Sequence, residues 1–377
     1  MNETYSNLFE TFTFRNGVTL KNRVVMAPMT TWSSNDDYTV SDEELTYYQK
    51  RVNGVGLVIT GCTHVQPNGI GFTNEFAAYD DKFIPSLRKL AEAAKSGGAP
   101  AVLQIFHGGN KALPALTPNG EVVSSSALAT EASDFAPSVL PRELSPDEIL
   151  EVIHAFGEAT RRAIEAGFDG VEIHGAHGFL IQNFFSPFFN RREDEWGGSL
   201  ENRLRFPLAV VQEIKNVIKK HATKPFMLGY RISPDEIQEG GLRMKDTYTL
   251  IEHLIEKDVD YIHASLKDAL SSKPVDSQDD KTYLELIVDH VNGRVPVLAA
   301  GSMVTPDDVK MALDKGLSLA AIGHTLIMNP DWVEKVQNGK EAEIVTALKA
   351  SKINEIEIPE KLWNVIQASG PWFKIEE

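Results

Sequence analysis

The amino-acid sequence predicts an α/β fold, a (β/α)8 TIM barrel with an N-terminal β-hairpin and a long excursion after strand 3. Eight short apolar runs alternate with helical stretches along the chain. Each run is continuously apolar rather than alternating, as expected for strands covered by helices outside and by a packed barrel interior inside. The runs are residues 23–29, 56–63, 101–106, 170–174, 226–232, 261–265, 295–300 and 319–323.

Turn and capping signals support this order of elements. Residues 12–20 contain two alternating runs around an Asn-Gly pair, which predicts a hairpin that would close the bottom of the barrel. Ser145 and Thr305 each precede a proline and have an acid three residues later. That pattern predicts helix starts at both positions, and Gly167 marks the end of the first of these helices.

The chain shows no internal repeat, low-complexity tract or composition break, so we expect one domain over residues 1–377.

The connection at about residues 108–144 is too long for a simple loop and predicts a lid or substrate-binding excursion. A C-terminal tail, about residues 351–377, ends in the aromatic residues Trp372 and Phe373. They are expected to pack on this barrel or on a neighbouring subunit, which leaves a homo-oligomer open.

Composition excludes several function classes. The net charge of −16, without a Lys/Arg run, disfavours nucleic-acid binding. The first residues are acidic where a signal peptide would be basic, and no apolar run is long enough to span a bilayer, so we expect a cytoplasmic protein. Cys62 is the single cysteine, which excludes an intrachain disulfide and any four-thiolate metal or iron–sulfur site within one chain.

Two histidines follow the fourth apolar run, at the barrel edge where active sites form. His174 and His177 could together polarise one carbonyl oxygen, and Gly178 allows close approach of the backbone. The alternative is one core histidine and one surface histidine. A zinc site would need a third ligand, so no metal is predicted.

Three further side chains point to the same barrel mouth. Arg231 ends the fifth run and needs an anionic or multiply accepting partner, the alternative being an ion pair with Glu172. Gln104 lies in an apolar strand and would suit a ring with adjacent C=O and N–H edges. Cys62 has no neighbour in the sequence that would lower its pKa, which indicates an inert thiol beside the site.

Glycines follow the last two runs, where barrels commonly bind phosphate. The pairs are Gly301-Ser302 and Gly323-His324, and backbone N–H groups exposed at glycine can hold phosphate oxygens. The alternative interpretation of each glycine is a tight turn.

Taken together, these residues resemble the old yellow enzyme family of FMN-dependent ene-reductases. The resemblance extends from residues 22–30 to residues 323–330, and its most specific segment is NRREDEWGGS at residues 190–199, followed by ENR at residues 201–203. It implies a barrel with FMN across its top and with NADH or NADPH as reductant. The implied reaction passes hydride from FMN to an α,β-unsaturated substrate.

The resemblance also implies roles for individual residues. The Thr30 hydroxyl would lie near the flavin C4 carbonyl, and Arg231 near N1 and O2. The acceptor oxygen would be bound by His174 and His177, in a pocket with Thr30, Trp32 and Phe179. The implied cofactor-binding residues are Ala27, Pro28, Met29, Thr30, Cys62, Gln104, Arg231, Gly301, Ser302, Gly323 and His324.

The chain departs from this family at three positions. Phe179 stands where the family usually has the tyrosine that protonates the substrate, and Trp32 stands where one subgroup has another tyrosine. His324 replaces an arginine, which should weaken phosphate binding or make it sensitive to pH.

We therefore predict an NAD(P)H-dependent FMN oxidoreductase that reduces α,β-unsaturated carbonyls, quinones or related small electrophiles. One alternative is a 2,4-dienoyl-CoA reductase-like activity without an iron–sulfur cluster. The other is a flavin-binding reservoir or sensor with weak turnover, an interpretation that the missing tyrosine keeps open.

Overall fold

The structure, a computed structural model, describes residues 3–132, 137–277 and 280–376. Eight parallel strands pair in sequence order, and the eighth strand also pairs with the first, which closes the sheet into a barrel. The predicted (β/α)8 fold is confirmed. The barrel strands are β1 (Val24–Met26), β2 (Leu57–Ile59), β3 (Ala101–Phe106), β4 (Gly170–Gly175), β5 (Met227–Ile232), β6 (Tyr261–Ser265), β7 (Val297–Ala300) and β8 (Leu319–Ile322).

Helices alternate with these strands and cover the outside of the barrel. The α-helices are α1 (Asp42–Arg51), α2 (Ile84–Lys95), α3 (Pro146–Ala166), α4 (Leu180–Phe185), α5 (Leu200–His221), α6 (Met244–Glu256), α7 (Tyr283–Val291), α8 (Pro306–Asp314), α9 (His324–Met328), α10 (Trp332–Gln337) and α11 (Glu360–Ala368). Short 3-10 helices are Glu3–Phe9, Pro67–Gly69, Asp81–Phe83, Gly109–Lys111, Pro118–Gly120, Glu341–Glu343, Ala350–Lys352 and Gly370–Trp372. No helix in these described residues is both long and apolar enough to cross a membrane.

The capping signals work as predicted. Ser145 and Thr305 each accept a hydrogen bond from the backbone three residues on, and the acid there bonds back to the cap. Each capping box satisfies N–H groups that the first helical turn leaves without partners. Gly167 ends α3 in a left-handed conformation, with φ of 92°, which glycine adopts without steric cost.

The predicted hairpin is also present, as strands Phe12–Thr13 and Thr19–Leu20 in antiparallel pairing. Phe14 and Leu20 are buried among side chains of the lower barrel interior. The ring centres of Phe14 and Tyr261 are 6.0 Å apart. The hairpin therefore closes the end of the barrel opposite the strand C-termini.

Two predicted strands are shorter than the apolar runs that predicted them. The first ends at Met26 because Pro28 has no N–H group to continue the ladder. The second ends at Ile59, and Thr63–His64 forms a separate short strand beside β3 and beside Phe76–Ala77. Between the two pieces, a Cβ at Gly61 would lie 2.6 Å from the Met29 carbonyl oxygen. This close approach brings both loops to the barrel mouth.

The excursion after β3 is held by the segment that carries the resemblance. Its short strands Val123–Ser124 and Arg142–Glu143 pair in parallel. The buried guanidinium of Arg192 donates to the Ser125 carbonyl at 3.0 Å and to the Leu144 carbonyl at 2.7 Å, which joins the middle of the excursion to its C-terminal end. The most recognisable residues of the chain therefore have a structural role.

Replacement of Arg192 tests this role. Arg192→Met is expected to lower the free energy of unfolding by about 2–4 kcal/mol, because two buried carbonyl groups lose their donor. Urea denaturation measures the change. Arg205→Met is the matched control, since Arg205 is more exposed and reaches Glu195 and Glu201 only at 3.9 Å and 4.0 Å. A loss no larger than that of the control would contradict the anchoring role of Arg192.

Candidate active site

A cavity of about 320 Å³ opens at the C-terminal ends of the barrel strands. It brings together seven of the residues that the sequence singled out: Ala27, Met29, Arg231, Gly301, Ser302, Gly323 and His324. Eight other predicted residues do not line it: Pro28, Thr30, Cys62 and Gln104 of the cofactor set, and His174, His177, Trp32 and Phe179 of the substrate set. Thr30 hydrogen-bonds to the Cys62 thiol, whose sulfur lies 3.4 Å from Gln104 Oε1, so these three side chains are linked in a row.

The two histidines lie together at the end of β4. Their ring centres are 4.8 Å apart. His177 has a φ of 60°, in the left-handed region, and its backbone N–H donates to Ser233 Oγ at 3.0 Å. This strained backbone turns the second ring towards the first. Within the described residues, no three His, Cys, Asp or Glu side chains are placed to hold a metal ion.

Both rings are neutral at pH 7. Burial, followed by the charge effects of His177 and Arg231, holds the pKa of His174 well below its usual value. The side chain of His177 is exposed, but protein lies close around its ring. Desolvation and the charge of Arg231 therefore lower its pKa as well. The N–H of Ala176 donates to His174 Nδ1 at 3.3 Å, which leaves the proton of this neutral ring on Nε2. His174 can therefore donate a hydrogen bond from Nε2.

Ser265, the last residue of β6, connects the second histidine to the arginine. Its Oγ lies 2.6 Å from His177 Nε2 and accepts a hydrogen bond from Arg231 Nη2 at 3.0 Å. The sequence prediction missed this serine. The available signal was a polar residue at the end of an apolar strand, which is the same signal that identified Arg231.

Arg231 does not form the ion pair with Glu172 that the sequence left as an alternative. The buried Glu172 carboxylate instead accepts from Gln104 Nε2 at 2.7 Å and lies 2.9 Å from His263 Nδ1. Burial lowers the pKa of Arg231, and the more distant Glu172 charge opposes that shift. The Arg231 Nε atom is buried without a hydrogen-bond partner. A donor at the cavity therefore remains available to a bound group.

Gln104 and Cys62 are constrained by the same network. Because Gln104 donates to Glu172 and Cys62 donates to Gln104, the amide oxygen of Gln104 keeps one lone pair and its nitrogen keeps one N–H group. Burial, then the nearby Glu75 charge, raises the pKa of Cys62 to about 12. A thiol with so little thiolate is a poor nucleophile, in line with the sequence interpretation.

Aromatic rings form the wall beside the histidines. Phe179 is buried, with its ring centre 4.9 Å from that of His174 and 5.0 Å from that of Phe106. Trp32, in a left-handed backbone conformation, contacts Phe72 at 5.3 Å between ring centres. Neither Phe179 nor Trp32 supplies a hydroxyl group, so this wall is apolar where the resemblance leads us to expect a tyrosine.

The C-terminal aromatic residues pack on this barrel. The ring centre of His324 lies 5.6 Å from that of Trp372 and 4.7 Å from that of Phe373. The tail strand Ile375–Glu376 pairs with Leu348–Lys349, which fixes the tail in place. His324 is exposed, but the protein close to its ring lowers its pKa by desolvation, which favours the neutral form. Within this chain, the two tail rings therefore lie against the cavity wall formed by His324.

Two lysines, Lys267 and Lys374, line the cavity together with the two glycine segments. Lys374 forms an ion pair with Glu376 at 3.0 Å, so its charge is already partly balanced. Ser302, with a φ of 49°, donates through its hydroxyl to the Lys267 carbonyl at 2.8 Å. The sequence prediction missed both lysines because neither lies at the end of an apolar run. The charge of Lys267 can replace part of the positive charge that a neutral His324 does not provide.

The chain is similar to proteins of known families over most of its length. Residues 7–343 match the model of the NADH:flavin oxidoreductase / NADH oxidase family. The chain is 44% identical to the probable NADH-dependent flavin oxidoreductase YqiG of Bacillus subtilis, covering 99% of both proteins. It is 40% identical to NADH:fumarate oxidoreductase of Klebsiella pneumoniae over 94% of its own length, but spans only 38% of that protein.

A solved structure is similar as well. The old yellow enzyme homologue of Zymomonas mobilis superposes with a TM-score of 0.76 at 25% identity, covering 88% of this chain and 93% of that chain.

The charge state of the two histidines can be measured. Because both pKa values lie below 6.5, each ring loses its proton before the pH rises to that value and stays neutral above it. NMR titration of protein labelled at histidine carbons should show this, with His174→Gln and His177→Gln giving the assignment. Arg231→Gln is expected to raise both pKa values, because it removes a repelling charge. A ring that titrates at pH 6.5 or above in the unaltered protein would contradict the neutral charge state proposed for the two histidines.

Proposed function

Because the chain belongs to the NADH:flavin oxidoreductase / NADH oxidase family, we propose that it catalyses the NADH-dependent reduction of small activated acceptors. The acceptor classes are α,β-unsaturated carbonyl compounds, quinones and related electrophiles. The predicted old yellow enzyme family is confirmed by the family match and the structural neighbour. We further propose that the whole chain, with its excursion and tail, acts as one catalytic unit.

The cavity supports FMN as the flavin. Bound FMN would supply the redox centre that takes two electrons from the nicotinamide and gives them to the acceptor. Arg231 would hold the ring through its buried Nε, which has no protein partner. Gly301, Ser302 and Gly323 line the same cavity as Lys267 and Lys374, and this combination of exposed backbone and positive charge suits a phosphate.

The observation that carries the proposal is the neutral pair His174 and His177 beside this cavity. A neutral imidazole donates a hydrogen bond without bringing a full charge, so it suits an oxygen that gains negative charge during reduction. Ser265 fixes the ring of His177 and joins it to Arg231. The acceptor oxygen and the electron donor would therefore be held by one connected group of side chains.

The donor is proposed to be NADH rather than NADPH. The names of the relatives from Bacillus subtilis and Klebsiella pneumoniae both specify NADH. Fumarate, in the second name, is not transferred to this chain, because the chain spans 38% of that protein. The region that this chain shares with the Klebsiella pneumoniae protein would be the one that takes electrons from NADH.

Phe179 favours acceptors that do not require a proton from this position. A quinone gains its protons on oxygen, where exchange with water is fast, whereas an enone must gain a proton on carbon. The ring of Phe179 is packed against Phe106 and His174 and offers no proton. We therefore propose that quinones are reduced faster than simple enones.

An anaerobic titration of the purified protein tests the proposal. We expect NADH to bleach the flavin absorbance faster than NADPH does, and 1,4-benzoquinone to restore it faster than 2-cyclohexenone does. A protein without flavin absorbance would reject the proposed cofactor. Bleaching by NADH that no acceptor reverses would favour the reservoir or sensor alternative instead.

The substitution Phe179→Tyr tests the missing proton donor. We expect it to increase the rate of 2-cyclohexenone reduction by about tenfold or more, because a positioned acid typically contributes at least that much. The rate with 1,4-benzoquinone should change little. Phe106→Tyr serves as a control, since it adds a hydroxyl to the neighbouring ring of the same wall. Equal gains from the two variants, or none from Phe179→Tyr, would show that protonation does not depend on position 179.

A further inference from the structure

A lysine that the proposed function does not use lies against the histidine segment. Lys111 ends the short 3-10 helix Gly109–Lys111, at the start of the excursion. Its Nζ donates to the His177 carbonyl oxygen at 2.6 Å and lies 5.8 Å from the centre of the Phe179 ring. A Cβ at Gly178 would lie 3.0 Å from Nζ, so the glycine leaves room for the ammonium group. Lys111 therefore contacts all three residues that follow Ala176.

The charge of this lysine is not balanced locally. No carboxylate in the described part of the chain lies within 4.0 Å of its Nζ. Glu236 acts on it from further away, and that carboxylate already accepts hydrogen bonds from Gln182, Ser186 and Leu242. One of the three ammonium N–H groups donates to His177, which leaves two for a ligand.

The environment of Lys111 is partly shielded from water. Its side chain is half-buried, and burial lowers its pKa while Glu236 opposes the shift. The charge of Lys111 also contributes to the lowered pKa values of His174 and His177. Its field therefore extends to the groups that are proposed to hold the acceptor oxygen.

We propose that Lys111 forms an anion-binding subsite beside the two histidines and selects acceptors that carry a carboxylate as well as a carbonyl oxygen. The inference rests on the proposed function and specifies its substrate class. A shielded cation without an ionic partner gains a charge-assisted hydrogen bond from a carboxylate, whereas a neutral acceptor leaves it uncompensated. The face of Phe179 attracts the ammonium only weakly and does not neutralise it.

The competing role for this lysine is proton donation to the substrate carbon in place of the missing tyrosine. The two roles respond differently to the substitution Lys111→Arg. An arginine at this position would keep the positive charge and bind a carboxylate, but a guanidinium does not give up its proton at neutral pH. Lys111→Arg therefore retains the anion-binding subsite and removes a proton donor.

Binding is tested first, with a pair of unreactive probes that differ in charge. Isothermal titration calorimetry on the flavin-bound protein compares 4-oxopentanoate with its methyl ester. Lys111→Met is expected to weaken binding of the acid roughly tenfold or more and to leave the ester unchanged, as loss of a hydrogen bond to a charged group predicts. Lys111→Arg should restore the affinity for the acid.

The matched control is Lys82→Met. Lys82 is exposed and also lies 5.8 Å from the centre of an aromatic ring, that of Tyr79. The Lys82→Met variant should bind both probes as the unaltered protein does. If Lys111→Met weakens the binding of the acid and of the ester equally, or weakens the binding of neither, the anion-binding subsite is rejected.

Turnover with 4-oxo-2-pentenoate and its methyl ester then separates the two roles. Lys111→Met should lower kcat/KM for the acid roughly tenfold relative to the ester, and Lys111→Arg should recover it. Slower reduction of both compounds by both variants would identify a proton donor and reject the subsite. If the unaltered protein is not bleached by NADH, or no acceptor restores its absorbance, the proposed function fails, while the calorimetric comparison still decides the role of Lys111.

Discussion

The parallel register of β3, β4, β5 and β6 is the constraint on which the site depends. His174 is paired with Arg231, and Arg231 is paired with His263, so three basic side chains lie side by side on adjacent strands. Two residues earlier, Glu172 is paired with Gln104. Because side chains alternate along a strand, Glu172 and His174 face the same side of the barrel wall. A slip of one residue between these strands would send their polar side chains to opposite faces.

This register also determines the charge state of the site. Glu172 supplies one buried negative charge, and Gln104 and His263 hold its oxygens, so Arg231 keeps its own donors for Ser265 and for the cavity. A cation in a shielded position repels protons from nearby imidazoles. Burial is the larger cause of the neutral state of the two histidines, and the arginine charge, placed beside them by strand pairing, adds to it.

Much of the fold could be predicted because its signals are local. The apolar runs, the Asn-Gly hairpin and the capping boxes at Ser145 and Thr305 depend on neighbouring residues, and the structure has each of them. Strand ends identified His174 and Arg231 for the same reason. Ser265 lies 88 residues from His177 in the sequence. The contact between Glu172 on β4 and His263 on β6 spans the intervening strand β5. Such contacts are set by tertiary packing, which no local pattern in the chain specifies.

The segment that identifies the family and the residues proposed to give specificity are connected through the excursion. Asn183, in α4, accepts from the backbone N–H of Asn110, the residue before Lys111, at 3.1 Å. The same Asn183 oxygen accepts from Ser124 Oγ at 3.1 Å, and Arg192 donates to the carbonyl of the next residue, Ser125. The backbone next to Lys111 is therefore held by contacts that belong to the structural scaffold. A barrel of this kind can change its acceptor by changing side chains on a loop, while the anchors of that loop and the paired strands beneath it stay the same.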